Sequence, residues 1–205
     1  MQNILKVILA LCVLGAIAVF ADAQVAKEGH SALVGKPNAA RGMAQRSLYE
    51  RLGGLPALKA VVDEFVTRVA ADSRINAKFA RTNMPRLKLH LVEQLCVATG
   101  GPCEYTGRDM KQTHRNMRVT EGEFDALVED LVATLDKFNV ASREKDELLT
   151  ILGPLKSQVV EVQGDTVGQP LPAGYKPANA LSTSRINAGP KMKKMKSNAG
   201  KKGKS

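Results

Sequence analysis

The sequence predicts an all-α domain of about 115 residues, spanning positions 47–163. Apolar residues recur every three to four positions in several stretches, and glycine or proline separates those stretches. Leu, Val and Ala dominate the apolar composition, whereas aromatic residues make up 4% of the chain and Trp is absent. The spacing is typical of amphipathic helices, and a chain without aromatic or β-branched runs disfavours strands.

The first two predicted helices flank a pair of glycines. A short helical piece covers Leu48 to Leu52, and Gly53-Gly54 interrupts the chain after it. Pro56 suits the first turn of the next helix. That helix carries one continuous apolar stripe, formed by Leu58, Val61, Val62, Phe65 and Val69.

A third helix follows a brief turn-like element marked by Ile75 and Phe79. It ends at Gly100–Pro102, a strong stop signal. Its stripe consists of Met84, Leu87, Leu91 and Leu95. The next segment, Met110–His114, is long enough for one or two helical turns only.

Two late helices complete the predicted domain. Thr120 and Glu123 fit a capping box, in which each side chain satisfies a backbone N–H of the first turn. The apolar stripe behind this cap contains Phe124, Leu127, Val128, Leu131 and Leu135. We expect Ser142 to cap the last helix and Pro154 to kink it. Four amphipathic helices of this length can bury one core and enclose a cofactor between them.

The N-terminus has the layout of a secretory signal peptide over residues 1–23. An apolar run from Val7 to Phe20 precedes Ala21-Asp22-Ala23, which offers a cleavage site. The run is short for a membrane span. We therefore expect an exported protein, periplasmic or secreted, with an uncleaved membrane anchor as the alternative. Residues 24–46 are predicted to form a flexible leader.

The C-terminal segment, residues 164–205, is predicted to be disordered because apolar periodicity stops and Gly, Pro, Ser, Asn and Lys take over. Seven of the ten net positive charges belong to lysines after residue 190. These lysines have no interleaved aromatics for base stacking, which argues against sequence-specific nucleic-acid recognition. Two interpretations remain: a tail that contacts an anionic membrane surface or other polyanion, and a solubilising tail without a partner.

Two cysteines, Cys96 and Cys103, remain after signal cleavage. An oxidising compartment permits a disulfide between them, and a buried thiol at Cys96 with a loop thiol at Cys103 is the alternative. No C-x-x-C metal motif is present.

The candidate ligands in the predicted domain are two histidines, His90 and His114. Neutral imidazole is a good metal ligand, although a lone histidine is more commonly an ordinary surface or core residue. The sequence contains no phosphate loop, H-E-x-x-H motif or hydrolase signature.

Several ordered motifs resemble those of the group I truncated haemoglobins, which are 2-on-2 helical sandwiches that enclose haem. Tyr49–Gly54 resembles the opening of that family, and Phe79–Met84 resembles the step into its distal helix. Gly100–Pro102 with Tyr105–Gly107 resembles the following turn, and Met110–His114 resembles the proximal segment. The resemblance runs from Leu48 to about Val160 with almost no gaps.

The resemblance implies roles for individual residues. It makes His114 the proximal iron ligand, and it places Phe79 and Met110 against the haem. It places Leu87 and Leu91 on the distal side, facing the iron. Other positions in the predicted haem environment are Val66 in the second helix, Arg86, Tyr105 and Lys111 near the propionates, and Phe124 and Leu127 in the late helix. Without a C-x-x-C-H motif, covalent cytochrome-type attachment is not expected.

The chain departs from the family pattern on the distal side. Val66 stands where many members have Tyr, and Leu87 and Leu91 stand where Gln is frequent. The predicted distal cavity therefore has His90 as its nearby polar group. His90 is predicted to ligate the iron, with a distal hydrogen bond or propionate contact and an inert surface position as alternatives. Lys88 is a weaker candidate because its ammonium must first lose a proton.

The resulting expectation is a haem-binding globin for oxygen or other diatomic ligands. The missing distal donors favour a redox role or the scavenging of nitric oxide or peroxide, with a reductase as a possible partner. The alternative function is a haem-free helical interaction module that acts through its basic tail.

Overall fold

The computed structural model describes residues 46–194, and the first helices follow the predicted glycine break. Helix α1 is Leu48–Arg51, and Ser47 with Glu50 forms a capping box at its start. Gly53 has φ +95°, a left-handed conformation that favours glycine. Helix α2, Gly54–Ala71, therefore starts in a new direction.

Helices α2 and α3 form one side of the core. Helix α3 is Met84–Ala98, with the Asn83 side chain accepting a hydrogen bond from the Arg86 amide at its N-terminus. A 3-10 turn, Asn76–Phe79, connects α2 to α3. The apolar stripe of α2 packs on α3 and on the late helix α5, Glu121–Lys137.

The capping box predicted for α5 is present. The Glu123 amide donates to Thr120 Oγ1 at 3.1 Å, and the Thr120 amide donates to Glu123 Oε2 at 3.0 Å. The short proximal helix α4 is Met110–His114, capped by Asp109. These elements form a helical sandwich around one main core, with a smaller cluster formed by Met117, Val119 and Val159.

Two predictions about the last helix are corrected. Helix α6 is Ser142–Leu152, with Ala141 at the N-cap and no side-chain cap, because Ser142 is already the first helical residue. Pro154 does not kink a continuous helix. Instead α6 ends at Leu152, and a 3-10 turn, Gly153–Leu155, leads into the short helix α7, Lys156–Val159.

Cys96 at the end of α3 and Cys103 in strand β1, Cys103–Glu104, are joined by a disulfide. Their Cα atoms lie 5.8 Å apart, which is within the range that a disulfide spans. Both residues are completely buried. The disulfide ties β1 to the end of α3 across the turn at Gly100-Gly101.

The disorder predicted from residue 164 onward is wrong for residues 164–194. We call these residues the C-terminal strap. They include helix α8, Thr183–Asn187, and strand β2, Lys191–Met192, which pairs antiparallel with β1. Composition is misleading here because the strap is held by a few specific contacts rather than by an apolar stripe. Residues 195–205 lie outside the described part of the chain.

The N-terminal predictions also lie outside the described residues. They concern the signal peptide, residues 1–23, and the leader, residues 24–46, of which the structure describes only Arg46. Within residues 46–194, no helix has the length and hydrophobicity needed to cross a membrane.

Candidate cofactor site

A cavity of about 430 Å³ lies between α2, α3, α4 and α5. This volume falls within the range of protein pockets that hold small organic ligands. Its walls are mostly apolar, and both His90 and His114 line it. Elements that are distant in sequence therefore place two imidazoles around one apolar space.

His114 is held in the orientation of a ligand. Its Nδ1 lies 2.8 Å from the carbonyl oxygen of Met110, so Nδ1–H is the donor and Nε2 carries the lone pair. Burial lowers the pKa of His114 below the ordinary value, and the hydrogen bond to Met110 opposes this only in part. The side chain is therefore neutral near pH 7, as metal coordination requires.

The loop after His114 is fixed by charged side chains. Asn116 and Arg118 both have positive φ, and their amides donate to the two carboxylate oxygens of Glu161 at 2.7 and 2.6 Å. The buried Lys78 ammonium donates to the carbonyls of Met117 and Arg118, each at 3.1 Å. These contacts fix the backbone that carries His114.

His90 on α3 presents one satisfied and one unsatisfied nitrogen. Its Nδ1 lies 3.2 Å from Glu93 Oε2, while Nε2 is buried with no hydrogen-bond partner among the described residues. The ring packs edge-on against Tyr105, with 6.0 Å between centroids. Buried polar atoms normally have hydrogen-bond partners. The unpartnered Nε2 of His90 in this cavity therefore indicates that a ligand binds to this nitrogen.

Glu93, which orients His90, is a fully buried carboxylate. Burial by itself would raise its pKa, but hydrogen bonds from Thr106, His90 and Arg185 hold the pKa below the usual value. Oε2 accepts from the amide and hydroxyl of Thr106 at 3.0 and 2.7 Å. Oε1 pairs with the Arg185 guanidinium at 2.6 Å. Glu93 therefore remains ionised inside the fold.

Most of the residues predicted from the sequence do line the cavity. Besides the two histidines, they are Phe79, Arg86, Leu87, Leu91, Tyr105, Met110, Phe124 and Leu127. The structure thus brings together predicted residues from three helices, α3, α4 and α5, and from two connecting segments. Their side chains form a largely apolar enclosure around the two imidazoles.

Val66 and Lys111 are the exceptions. Val66 is buried in the core, whereas Val62 and Phe65 line the cavity from the same helix. Successive helical positions differ by about 100°, so a neighbouring residue can face a different partner. Lys111 is exposed and does not line the cavity. Lys88 does not line it either, and its ammonium lies 2.8 Å from Asp63 Oδ1.

The expectation that His90 is the sole distal polar group is also corrected. Gln94 lines the cavity one turn further along α3, and its amide nitrogen lies 3.7 Å from the sulfur of Met110. Periodicity points to this position, since it follows His90 by four residues. By contrast, no motif or periodicity in the sequence identifies Tyr175–Ala178 of the strap, which also line the cavity.

These residues fit haem. The neutral His114, the unsatisfied Nε2 of His90 and the apolar walls match the needs of an iron porphyrin, and a helical sandwich with such a site defines a haem-binding globin. The bacterial-like globin family matches residues 47–161. The chain belongs to this family, and within it to the group I truncated haemoglobins.

Relatives and solved structures agree with this assignment. The chain is 39% identical over 113 residues to a group 1 truncated haemoglobin of Mycolicibacterium paratuberculosis, covering 55% of this chain and 83% of that protein. The Fe(III) form of the truncated haemoglobin from Tetrahymena pyriformis is 31% identical with a TM-score of 0.55, covering 56% of this chain and 98% of that one.

A third comparison concerns the cofactor directly. The 2/2 haemoglobin of Synechococcus sp. PCC 7002, solved with covalently attached haem, is 36% identical with a TM-score of 0.54. The aligned region is 56% of this chain and 98% of that one. Haem is thus the cofactor of this globin, and a haem-free interaction module is not supported.

Proposed function

We propose that this protein is a bis-histidyl haem globin that transfers electrons or scavenges nitric oxide or peroxide. The observation that carries the proposal is the buried Nε2 of His90, which has no hydrogen-bond partner in the described chain and belongs to a side chain lining the same cavity as His114. Bound haem supplies an iron that accepts imidazole and diatomic ligands and changes oxidation state.

The residues around each histidine prepare it for this role. The Met110 carbonyl fixes the tautomer of His114, and the Glu93 carboxylate accepts a hydrogen bond from Nδ1–H of His90, which leaves each Nε2 with its lone pair. Hydrogen-bond acceptors of this kind orient metal-ligating histidines.

Internal coordination by His90 lowers the affinity for external ligands. If it is favoured by about 2.7 kcal/mol, the open form is about 1% of the molecules, and external ligands bind about a hundredfold more weakly. Such weak binding of external ligands suits a protein that transfers electrons or scavenges slowly better than one that delivers oxygen. A reductase is the partner that such turnover requires.

We also propose that the protein acts after export. The apolar N-terminal run and the disulfide support this location, because disulfides persist in oxidising compartments. Its haem is expected to lack cytochrome-type covalent attachment, since the chain has no C-x-x-C-H motif, and we propose that it is bound non-covalently. Acidified organic solvent should therefore extract it.

The deciding experiment is the optical spectrum of the deoxy ferrous protein near pH 7. We expect sharp, resolved visible bands that collapse to a broad five-coordinate spectrum in His90→Ala. Lys88→Ala is the matched control, because Lys88 is close in the same helix but lies outside the cavity; it should leave the bands unchanged. A broad five-coordinate spectrum in the unmodified protein would contradict the proposal and make His90 a hydrogen-bonding residue.

A further inference from the structure

We propose that the C-terminal strap is part of the haem-binding site: Tyr175–Ala178 form one of its walls and Lys176 binds the propionates. The strap lies outside the family match, which ends at residue 161. Nevertheless, these four strap residues line the same cavity as His90 and His114. The haem site of this protein therefore extends beyond its globin domain.

The strap is held over the cavity by two arginines, one in the turn before α3 and one in the first turn of α3. Arg81 Nη1 donates to the carbonyl of Tyr175 at 2.9 Å, and Arg86 Nη1 donates to the carbonyl of Asn179 at 2.9 Å. Arg86 itself lines the cavity. Backbone atoms on both sides of Lys176 are thereby fixed at the rim.

An ion pair between the partly exposed Arg185 and the buried Glu93 anchors the strap further along. Arg185 Nη2 lies 2.6 Å from Glu93 Oε1 and 2.9 Å from Thr106 Oγ1. Within residues 46–194, Arg185 is the Arg or Lys that pairs with Glu93. A globin domain without the strap would leave Oε1 of this buried carboxylate without its cationic partner, which is unfavourable although Thr106 and His90 still hydrogen-bond Oε2. Glu93 on α3 therefore provides a specific ion-pair partner for Arg185 of the strap.

The cavity rim carries positive charge that suits the anionic propionates of haem. Arg86, Arg108 and Lys176 line the cavity, and none of them forms a salt bridge with a residue in the described range. Lys176 is exposed at this rim, whereas Lys111, the cation of the proximal helix, does not line it. The strap thus supplies a cation at the rim that the proximal helix does not.

This inference rests on haem binding and not on coordination by His90. Its test is the rate of haem loss from the full-length ferric protein to excess apomyoglobin, followed by absorbance. We expect Lys176→Met to accelerate haem loss about threefold, since an exposed ion pair is weak. Arg185→Met should accelerate it about tenfold or more, because it releases the strap and leaves Glu93 unpaired, and Arg185→Lys should restore much of the retention.

Two control variants separate this role from general effects. Lys111→Met removes a lysine outside the cavity, and Thr183→Ala alters an exposed residue of the strap; both should lose haem at the unmodified rate. Measuring the Lys176 and Arg185 variants again in a His90→Ala background should preserve the differences, whatever the coordination of the iron.

The outcomes that overturn the inference are definite. If Lys176→Met and Arg185→Met both lose haem at the unmodified rate, the strap does not belong to the site. The same holds if Lys111→Met accelerates the loss as much as Lys176→Met. If Arg185→Met fails to fold, Lys176→Met alone decides the question.

Discussion

Reduction of the Cys96–Cys103 disulfide should lower the stability of the protein by a predictable amount. The two cysteines are seven positions apart, so the bridge closes a loop of eight residues. The loop-closure relation then gives about 2.5 kcal/mol of stabilisation at 25 °C. Both sulfur atoms are completely buried, and a buried thiol packs like a small hydrophobic group, so reduction adds little further cost.

The assay is urea unfolding of the mature protein, with and without dithiothreitol, followed by far-UV circular dichroism. With an m-value of about 2 kcal/mol/M, a loss of about 2.5 kcal/mol lowers the midpoint by about 1.2 M. A Cys96→Ala/Cys103→Ala variant serves as the control, because dithiothreitol should leave its midpoint unchanged.

Two results would refute this reasoning. Equal midpoints with and without reductant would show that the short loop contributes no stabilisation. Two titratable thiols in the unreduced, denatured mature protein would show that the bridge does not form, and would also weaken the argument for an oxidising compartment.

Two further predictions concern charge. Burial raises the pKa of Asp130, whose Oδ2 is buried with no partner among the described residues, so its ionised form is penalised in the folded state. Asp130→Asn should therefore raise the free energy of unfolding at pH 7 by about 1 kcal/mol, and the gain should vanish on acidification below the carboxyl pKa of the unfolded chain. A pH series of urea titrations checks this, and a gain that persists at low pH would contradict it. Deleting residues 195–205, which contain four lysines, should weaken binding to anionic vesicles at low salt. Retention unaffected by the deletion, or by salt, would count against an anionic partner for the tail.

The sequence predicts the positions of the long helices well because their stripes are local. The apolar spacing in α2, α3 and α5, together with the cap at Thr120, determines these elements without knowledge of any partner. Which residue of a stripe faces the cavity is less predictable. Val62 lines it and Val66 does not, because that choice depends on how the helices cross.

The strap could not be predicted from the sequence for a different physical reason. Its anchoring contact joins Arg185 to Glu93, which is 92 positions earlier in the chain. Neither residue stands out in its own neighbourhood, and the polar, glycine-containing composition around Arg185 is typical of disordered segments. A few long-range contacts, namely this ion pair, the hydrogen bonds from Arg81 and Arg86 and the pairing of β2 with β1, outweigh that local composition.

The position of the strap also suggests an order of assembly. Its contacts with α3 and the turn before it join residues 92 to 94 positions apart. They therefore carry a larger loop-closure cost than the contacts between successive helices. We expect the helices to associate first and the strap to dock last. Until the strap docks, the side of the pocket that Tyr175–Ala178 line stays open, and we expect haem to enter there. The docked strap then covers that side of the bound haem.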